Sequence, residues 1–140
     1  MSGGRAVLSI CMTCRDGREA ETATRGGSRL AEAIHAHIGG LDDACVALRG
    51  VKCMSQCTRP CIVSLSQDDK FTYLFGDLDP HESAHTEALF ELVQKYNKAP
   101  EGFLERIDRP ELLRANILGR LPPIPSASPL VSRLEPVAAE

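Results

Sequence analysis

Residues 45–57 read CVALRGVKCMSQC, a short apolar run that leads directly into a pair of cysteines. Residues 5–14, RAVLSICMTC, repeat this construction with a second apolar run and a second cysteine pair. Short apolar runs that are rich in β-branched residues and bounded by turn residues are typical of buried β-strands. The sequence therefore predicts two strands, each followed at its C-terminal end by a cysteine-bearing loop.

A helix is predicted between these two strands. Within residues 28–39, SRLAEAIHAHIG, Leu30 and Ile34 recur at the spacing of one helix face. Ser28 is the candidate N-cap and Gly39 is the expected stop. A strand–helix–strand crossover is almost always right-handed and makes its strands parallel, so both cysteine loops are expected at one edge of the sheet.

Two further strands and two further helices are predicted in the rest of the chain. Residues 61–66 and 71–76 are apolar runs joined by a polar turn at 67–70, which favours an antiparallel hairpin. Residues 79–82, DPHE, have the aspartate cap, the N1 proline and the following glutamate of a helix start. A similar start predicts a shorter helix over residues 108–119.

The order strand, helix, strand, strand, strand, helix predicts an α/β fold with a small mixed sheet, a C-terminal helix and a disordered tail. Residues 1–98 would form the sheet domain and residues 99–121 a helical extension. Residues 122–140, which are rich in proline and small residues, would form the tail. A length of 140 residues suits one domain with a tail.

The composition argues against nucleic-acid and membrane partners. Charged residues make up 25% of the chain and the formal net charge is -3, without the basic excess that phosphate backbones require. The apolar run before Cys11 is too short for a signal peptide or a membrane span. We therefore expect a cytoplasmic protein, in which six cysteines favour metal binding or redox chemistry over structural disulfides.

Four of the cysteines form two closely spaced pairs, which are Cys11 with Cys14 and Cys53 with Cys57. Cysteines separated by two or three residues in a loop can bind one metal ion or cluster, and two such pairs complete a four-sulfur site. The spacing fits zinc and an iron–sulfur cluster equally well. Cys61 extends the second pair as a fifth thiol or a replacement metal ligand, whereas the isolated Cys45 is expected to be a core thiol.

Two enzymatic interpretations, a zinc protease and a thioredoxin-type reductase, have less support than a metal-binding or cluster-binding protein. Residues 81–85, HESAH, match the H-E-x-x-H zinc motif, but no third-ligand pattern follows and Glu82 already has a role in the predicted helix cap. A thioredoxin-type reductase needs a helix N-terminus beneath its nucleophilic cysteine, and the residues after Cys14 are polar and contain glycine instead. We therefore expect no catalytic residues and a protein that is not an enzyme.

The stretches VLSICMTC, GGSRLAEAI and VALRGVKCMSQCTRPCIVSL resemble the thioredoxin-like [2Fe-2S] ferredoxins and the related small subunit of respiratory complex I. This resemblance implies a thioredoxin-like fold in which Cys11, Cys14, Cys53 and Cys57 hold a [2Fe-2S] cluster. The first pair is usually spaced more widely in that superfamily, so the C-x2-C spacing leaves the cluster type open.

Residues 7–123 as a whole more closely resemble an uncharacterised bacterial family of predicted metal-binding proteins. The shared features are the C-x2-C pair, the CMSQCTRPC loop, the FTYLFGDL strand and the late RPELLRANILGRLPP segment. Members of that family are often encountered beside genes for cobalamin biosynthesis and cobalt handling, which implies a role there.

Two functional hypotheses follow. The first is a small [2Fe-2S] ferredoxin that transfers single electrons to a partner enzyme. The alternative is a thiolate metal carrier or zinc-binding accessory protein, which could handle cobalt for cobalamin biosynthesis. In both cases the expected partner is a redox or cofactor-biosynthesis protein, and a homodimer is left open.

Overall fold

Five β-strands form one mixed sheet in the computed structural model, which describes residues 5–39 and 46–134. Their bounds are β1 Ala6–Cys11, β2 Val46–Val51, β3 Val63–Ser66, β4 Thr72–Phe75 and β5 Ile117–Leu121. The strands lie in the order β2-β1-β3-β4-β5 across the sheet. Strands β1 and β2 are parallel, and the other neighbouring strands are antiparallel. The predicted α/β fold with a small mixed sheet is confirmed.

Three α-helices accompany the sheet in the described ranges, which are α1 Glu19–Thr22, α2 Gly26–Ile34 and α3 Ser83–Lys98. The backbone of α2 continues as a wider π-helical turn over His35–Gly39, so it reaches the predicted stop. Two short 3-10 turns, Arg106–Asp108 and Glu111–Leu113, lie between α3 and β5. None of the helices in these ranges has the length and apolar character needed to cross a membrane.

The predicted arrangement of the first two strands is confirmed. β1 and β2 pair in parallel, with Cys11 opposite Val51 at their C-terminal ends. The amide of Met12 then donates to the carbonyl of Val51 at 2.8 Å, which extends the pairing into the first cysteine loop. Both cysteine loops therefore leave the sheet at the same end, where the parallel strands β1 and β2 finish.

Helices α2 and α3 bury their apolar faces against the sheet and against each other. Leu30 and Ile34 of α2 and Leu89 of α3 are fully buried, and α2 contacts both β1 and α3. The hydroxyl of Tyr96 in α3 donates to the carbonyl of Phe71, just before β4, and ties the helix to the sheet. Removal of these apolar faces from water is the main force that holds the helices in place.

The predicted start of α3 is wrong. The helix begins at Ser83, and no side-chain hydrogen bond caps it. The carboxylate of Asp79, the predicted cap, instead accepts from the amide of His81 and pairs with the guanidinium of Arg18 at 2.9 Å. The amide of Asp79 donates to the ring of His85 at 2.8 Å. Asp79 therefore joins the segment before α3 to the loop after β1.

The predicted C-terminal helix is also wrong. Residues 108–119 contain a 3-10 turn and most of β5, which pairs antiparallel with β4. Ile117 and Leu118 pack against the core from this edge strand. Residues 99–121 therefore do not form the predicted helical extension. The predicted domain boundaries stay predictions. Residues 122–134 contain no helix or strand, and the disorder of the tail stays a prediction.

Candidate metal centre

The first cysteine loop is packed against the N-terminus of α2. Cys11 and Cys14 are 3% and 6% exposed. The amide of Gly27 donates to the carbonyl of Cys14 at 3.0 Å, and a Cβ atom on Gly27 would lie 1.9 Å from the carbonyl oxygen of Cys11. Glycine permits this close approach. The helix begins before the predicted cap Ser28, whose hydroxyl donates to a carbonyl of the first loop.

The second cysteine loop lies at the surface. Cys53 and Cys57 are both exposed. At the start of the loop, a backbone carbonyl accepts a hydrogen bond from the hydroxyl of Thr13 in the first loop. Near its end, the guanidinium of Arg59 donates to the carboxylate of Asp77 at 2.7 Å. The loop is therefore anchored at both ends while its two paired thiols are accessible to solvent.

The two loops meet around the sulfur of Cys11. The hydroxyl of Thr13, in the first loop, lies 3.9 Å from this sulfur and donates to the carbonyl of Lys52 at the start of the second loop. The amide of Cys11 also donates to the carbonyl of Ile62, just after the second loop, at 3.0 Å. Cys57 lies close enough to Cys14 to affect its ionisation. The two loops thus contact each other where β1 and β2 end, and the convergence of all four thiols on one site stays a prediction.

The two thiols of the first loop differ in acidity. Burial raises the pKa of Cys11, but hydrogen bonds from Cys14, Thr13 and Met54 outweigh it and lower the pKa of this thiol below its ordinary value. Burial, together with the hydrogen bond to Cys11, raises the pKa of Cys14 to about 12. Cys11 therefore ionises first. A metal would have to displace the proton of Cys14, since metals bind the thiolate form.

Cys61 is fully buried in the hydrophobic core. Burial raises the pKa of its thiol to about 12, and the nearby Cys14 and Asp16 add to this effect. A thiol in such surroundings stays protonated and packs as a small apolar side chain. Its role as a fifth or replacement ligand stays a prediction, and Cys45 lies outside the described residues.

The cysteine thiols are suitable donor groups for a metal that binds thiolates. Both pairs follow the C-terminal ends of β1 and β2, and neighbouring backbone amides act to lower the pKa of each thiol of the first pair, as they do around many thiolate sites. In the described ranges, however, no group of three or more Cys, His, Asp or Glu side chains is arranged to hold a metal ion. Cys11 and Cys14 are buried side by side. The exposed Cys53 and Cys57 would have to move toward them to complete a four-sulfur site.

A buried carboxylate fixes the loop that follows Cys14. Asp16 accepts hydrogen bonds from the guanidinium of Arg29 at 2.8 and 2.9 Å, and its side chain is 9% exposed. These bonds hold the pKa of Asp16 well below its usual range. Glu19 accepts from the amides of Asp16 and Gly26, each at 3.0 Å, and closes the loop onto α2. This network was not predicted from the sequence, although the charged residues crowded between the first cysteine pair and α2 were a signal for it.

The H-E-x-x-H residues do not form a metal site. The ring of His81 contacts the guanidinium of Arg29 at 2.8 Å, and the ring of His85 accepts from the amide of Asp79. Because α3 begins at Ser83, His81 precedes the helix and the two histidines do not share one helical face. A zinc protease would need both rings to converge on one ion.

The sheet order and the placement of the helices define a thioredoxin-like fold. The chain is similar to the structure of a thioredoxin-like [2Fe-2S] ferredoxin from Aquifex aeolicus, with a TM-score of 0.51 and 19% identity, over 84% of this chain and 93% of that chain. It is also similar to the 1.5 Å crystal structure of the wild-type thioredoxin-like [2Fe-2S] ferredoxin from Aquifex aeolicus, with a TM-score of 0.51 and 16% identity, over 83% of this chain and 98% of that chain. At these identities the similarity shows the fold.

The chain belongs to the family described as "Protein of unknown function (DUF1636)", whose model matches residues 8–123. The match includes both cysteine loops and the whole of the five-stranded sheet except the first two residues of β1. No curated protein matches the chain. The predicted membership of an uncharacterised family is confirmed, and so is the predicted likeness in fold to the thioredoxin-like [2Fe-2S] ferredoxins.

Proposed function

We propose that the protein is a small electron carrier that holds a [2Fe-2S] cluster on Cys11, Cys14, Cys53 and Cys57. The observation that carries this proposal is the contact between the two cysteine loops where β1 and β2 end, in which the hydroxyl of Thr13 donates to the carbonyl of Lys52. The similarity of the fold to thioredoxin-like [2Fe-2S] ferredoxins supports the same assignment. When bound, such a cluster takes up and releases single electrons.

The residues around the thiols would tune the cluster through hydrogen bonds and burial. Hydrogen bonds to thiolate sulfurs stabilise the more negative, reduced state and raise the reduction potential. The amides of Met54 and Ile62, which act to lower the pKa of Cys11 and of Cys14 respectively, would supply such bonds. The buried pair would shield one side of the site from water.

The exposed loop around Cys53 and Cys57 is the surface that a redox partner would approach. In this function the chain contributes no catalytic residues and passes its electron to an enzyme that does the chemistry. We place this exchange in the cytoplasm, because the clustered cysteines need a compartment that keeps thiols reduced. The partner would be a redox or cofactor-biosynthesis enzyme.

A thiolate metal carrier is the second candidate, and the exposure of Cys53 and Cys57 favours it. A carrier has to release its metal, and thiols that solvent can reach are open to protonation or to a competing ligand. Such a protein would bind zinc, or would deliver a metal such as cobalt to a pathway that makes a cofactor, as in cobalamin biosynthesis.

The visible absorption spectrum of protein purified without oxygen separates the two functions. The cluster predicts a brown protein whose sulfur-to-iron charge-transfer bands bleach on reduction with dithionite. A colourless protein that contains zinc, or a protein whose bands arise from cobalt, contradicts the ferredoxin assignment and supports the carrier.

A further inference from the structure

A cavity of about 660 Å³ lies beside β5, at the edge of the sheet opposite β2. Three arginines line it, which are Arg106, Arg109 and Arg120. Glu105 is the one acidic residue on its wall in the described part of the chain. The wall therefore carries an excess of positive charge, and its volume lies in the range of small-molecule sites.

Arg109 is unusual because it is buried without a counter-charge. The residue is 5% exposed, and its Nε has no hydrogen-bond partner among the described residues. None of the ion pairs within residues 5–39 and 46–134 includes it. A guanidinium that is taken out of water and left unpaired destabilises the folded chain. Such a group is retained most readily where a ligand supplies the counter-charge.

The neighbouring arginines add to the positive charge around Arg109, and their hydrogen-bond partners are uncharged carbonyls. The guanidinium groups of Arg106 and Arg114 donate to backbone carbonyls. Arg120 also donates to a backbone carbonyl, and its Cζ lies 4.1 Å from the ring centroid of Phe103. Burial lowers the pKa of Arg109, and the charges of the other three arginines lower it further. Carbonyls and an aromatic ring thus hold three cations close to the unpaired Arg109.

We propose that this cavity binds the phosphate or carboxylate group of a small organic anion, with Arg109 as the principal donor. A guanidinium presents paired N–H groups that match two oxygens of such an anion, and the anion would supply the missing counter-charge. Arg106 and Arg120 would surround the same group. The apolar Ile117 and Leu118 on the cavity wall would contact its carbon skeleton.

Thermal unfolding of the full chain in inorganic phosphate or in succinate, each compared with sodium chloride at equal ionic strength, tests this site. A ligand that binds only the folded chain raises Tm as its concentration increases. The proposal predicts such a rise with at least one anion, and the difference between the two anions tells phosphate from carboxylate recognition. An equal Tm in all three salts contradicts the proposal.

Phosphate also stabilises proteins by exclusion from their surfaces, so variants supply the decisive comparison. Arg109→Met should abolish the rise that is specific to the anion. In chloride its Tm should stay equal or increase, because the variant removes an unpaired buried cation. Arg49→Gln, which removes one charge from β2 at the opposite edge of the sheet, should keep the full response. A response that survives Arg109→Met overturns the proposal.

Isothermal titration calorimetry of Arg106→Gln with the same anions keeps the test valid if Arg109→Met does not fold. Arg106 is exposed and lines the cavity, so its substitution should leave the fold intact. Loss of one charge-assisted donor should weaken anion binding roughly tenfold. Affinity equal to that of the unaltered chain contradicts the proposal.

Discussion

The two cysteine loops leave the sheet at the same end, after β1 and β2, but they are held in different ways. Cys11 and Cys14 are 3% and 6% exposed and lie against the N-terminus of α2, whereas Cys53 and Cys57 are exposed. The first loop is held by backbone hydrogen bonds at Met12 and Cys14, and the carboxylate of Asp16 fixes the segment that follows it. The second loop is tied mainly at its ends.

This difference indicates that packing builds one half of the candidate site and that metal binding would have to order the other half. Part of the free energy of binding would therefore be used to restrict the second loop. The folding of the chain and its metal content should then respond separately to substitution. Changes in the first loop should alter both, and changes in the second loop should alter the metal content alone.

Substitution of one cysteine from each loop should have the largest effect. Cys57→Ser and Cys14→Ser should each lower the bound metal by more than about tenfold, because each removes a proposed ligand. Cys57→Ser should leave the unfolding of metal-free protein within about 0.5 kcal/mol of the unaltered chain, as for other exposed positions. Cys14→Ser should also destabilise it, because a hydroxyl replaces a buried thiol.

Cys45→Ser is the control for these variants, and it should keep the metal. Metal content by mass spectrometry and urea unfolding of the metal-free proteins provide the two readouts. Equal metal loss in Cys45→Ser and Cys57→Ser would overturn the ligand assignment.

Alkylation of the metal-free protein should separate the two pairs in one experiment. Cys53 and Cys57 should react with iodoacetamide at least about tenfold faster than Cys14 and Cys61, which have to wait for local opening. Peptide mass spectrometry over time measures each rate. A uniform rate across these four thiols would show that the first loop is not packed as described.

Gly27→Ala should test how the first loop is built. Its Cβ would lie 1.9 Å from the carbonyl oxygen of Cys11, so the variant should lose about 1–3 kcal/mol of unfolding free energy. Gly119→Ala is a matched control, because a Cβ there meets no atom within 4 Å. Urea unfolding compares the variants, and equal stability of the two would contradict the close approach of α2 to the first loop.

Asp79→Asn should have the smallest effect and depend on pH. Hydrogen bonds from Arg18 lower the pKa of Asp79, so the unfolded chain holds this proton more tightly than the folded chain does. The stabilisation is therefore present above the ordinary aspartate pKa of about 3.9 and is lost as the pH falls through the lower folded-state value.

The variant should lower Tm at pH 7 by less than about 5 °C, because this ion pair is partly exposed. The difference from the unaltered chain should vanish in acid. A difference that stays constant between pH 7 and pH 2 would mean that the ion pair does not cause it.

The convergence of the cysteine loops could be predicted from the sequence because it depends on local patterns and one handedness rule. The apolar runs that end at Cys11 and Val51 formed strands, and the crossover between them is parallel. The difference in exposure between the pairs could not be predicted. It depends on the approach of Gly27 to a carbonyl, and a glycine pair before a helix does not reveal which atoms it will meet.

The C-terminal part could not be predicted because its structure depends on distant contacts. Residues 108–119 have a helix-like start, and Ile117 and Leu118 suit a helix face as well as a strand. Pairing with β4 decides in favour of the strand. The burial of Arg109 was missed for the same reason, although four arginines between positions 106 and 120 were a signal for a basic site.

The iron and acid-labile sulfide content of protein that is expressed with ample iron and purified without oxygen tests the central claim most directly. A cluster held jointly by Cys11, Cys14, Cys53 and Cys57 predicts about two irons and two sulfides per chain. Protein that contains zinc, another transition metal without sulfide, or no metal at all under these conditions would contradict the account.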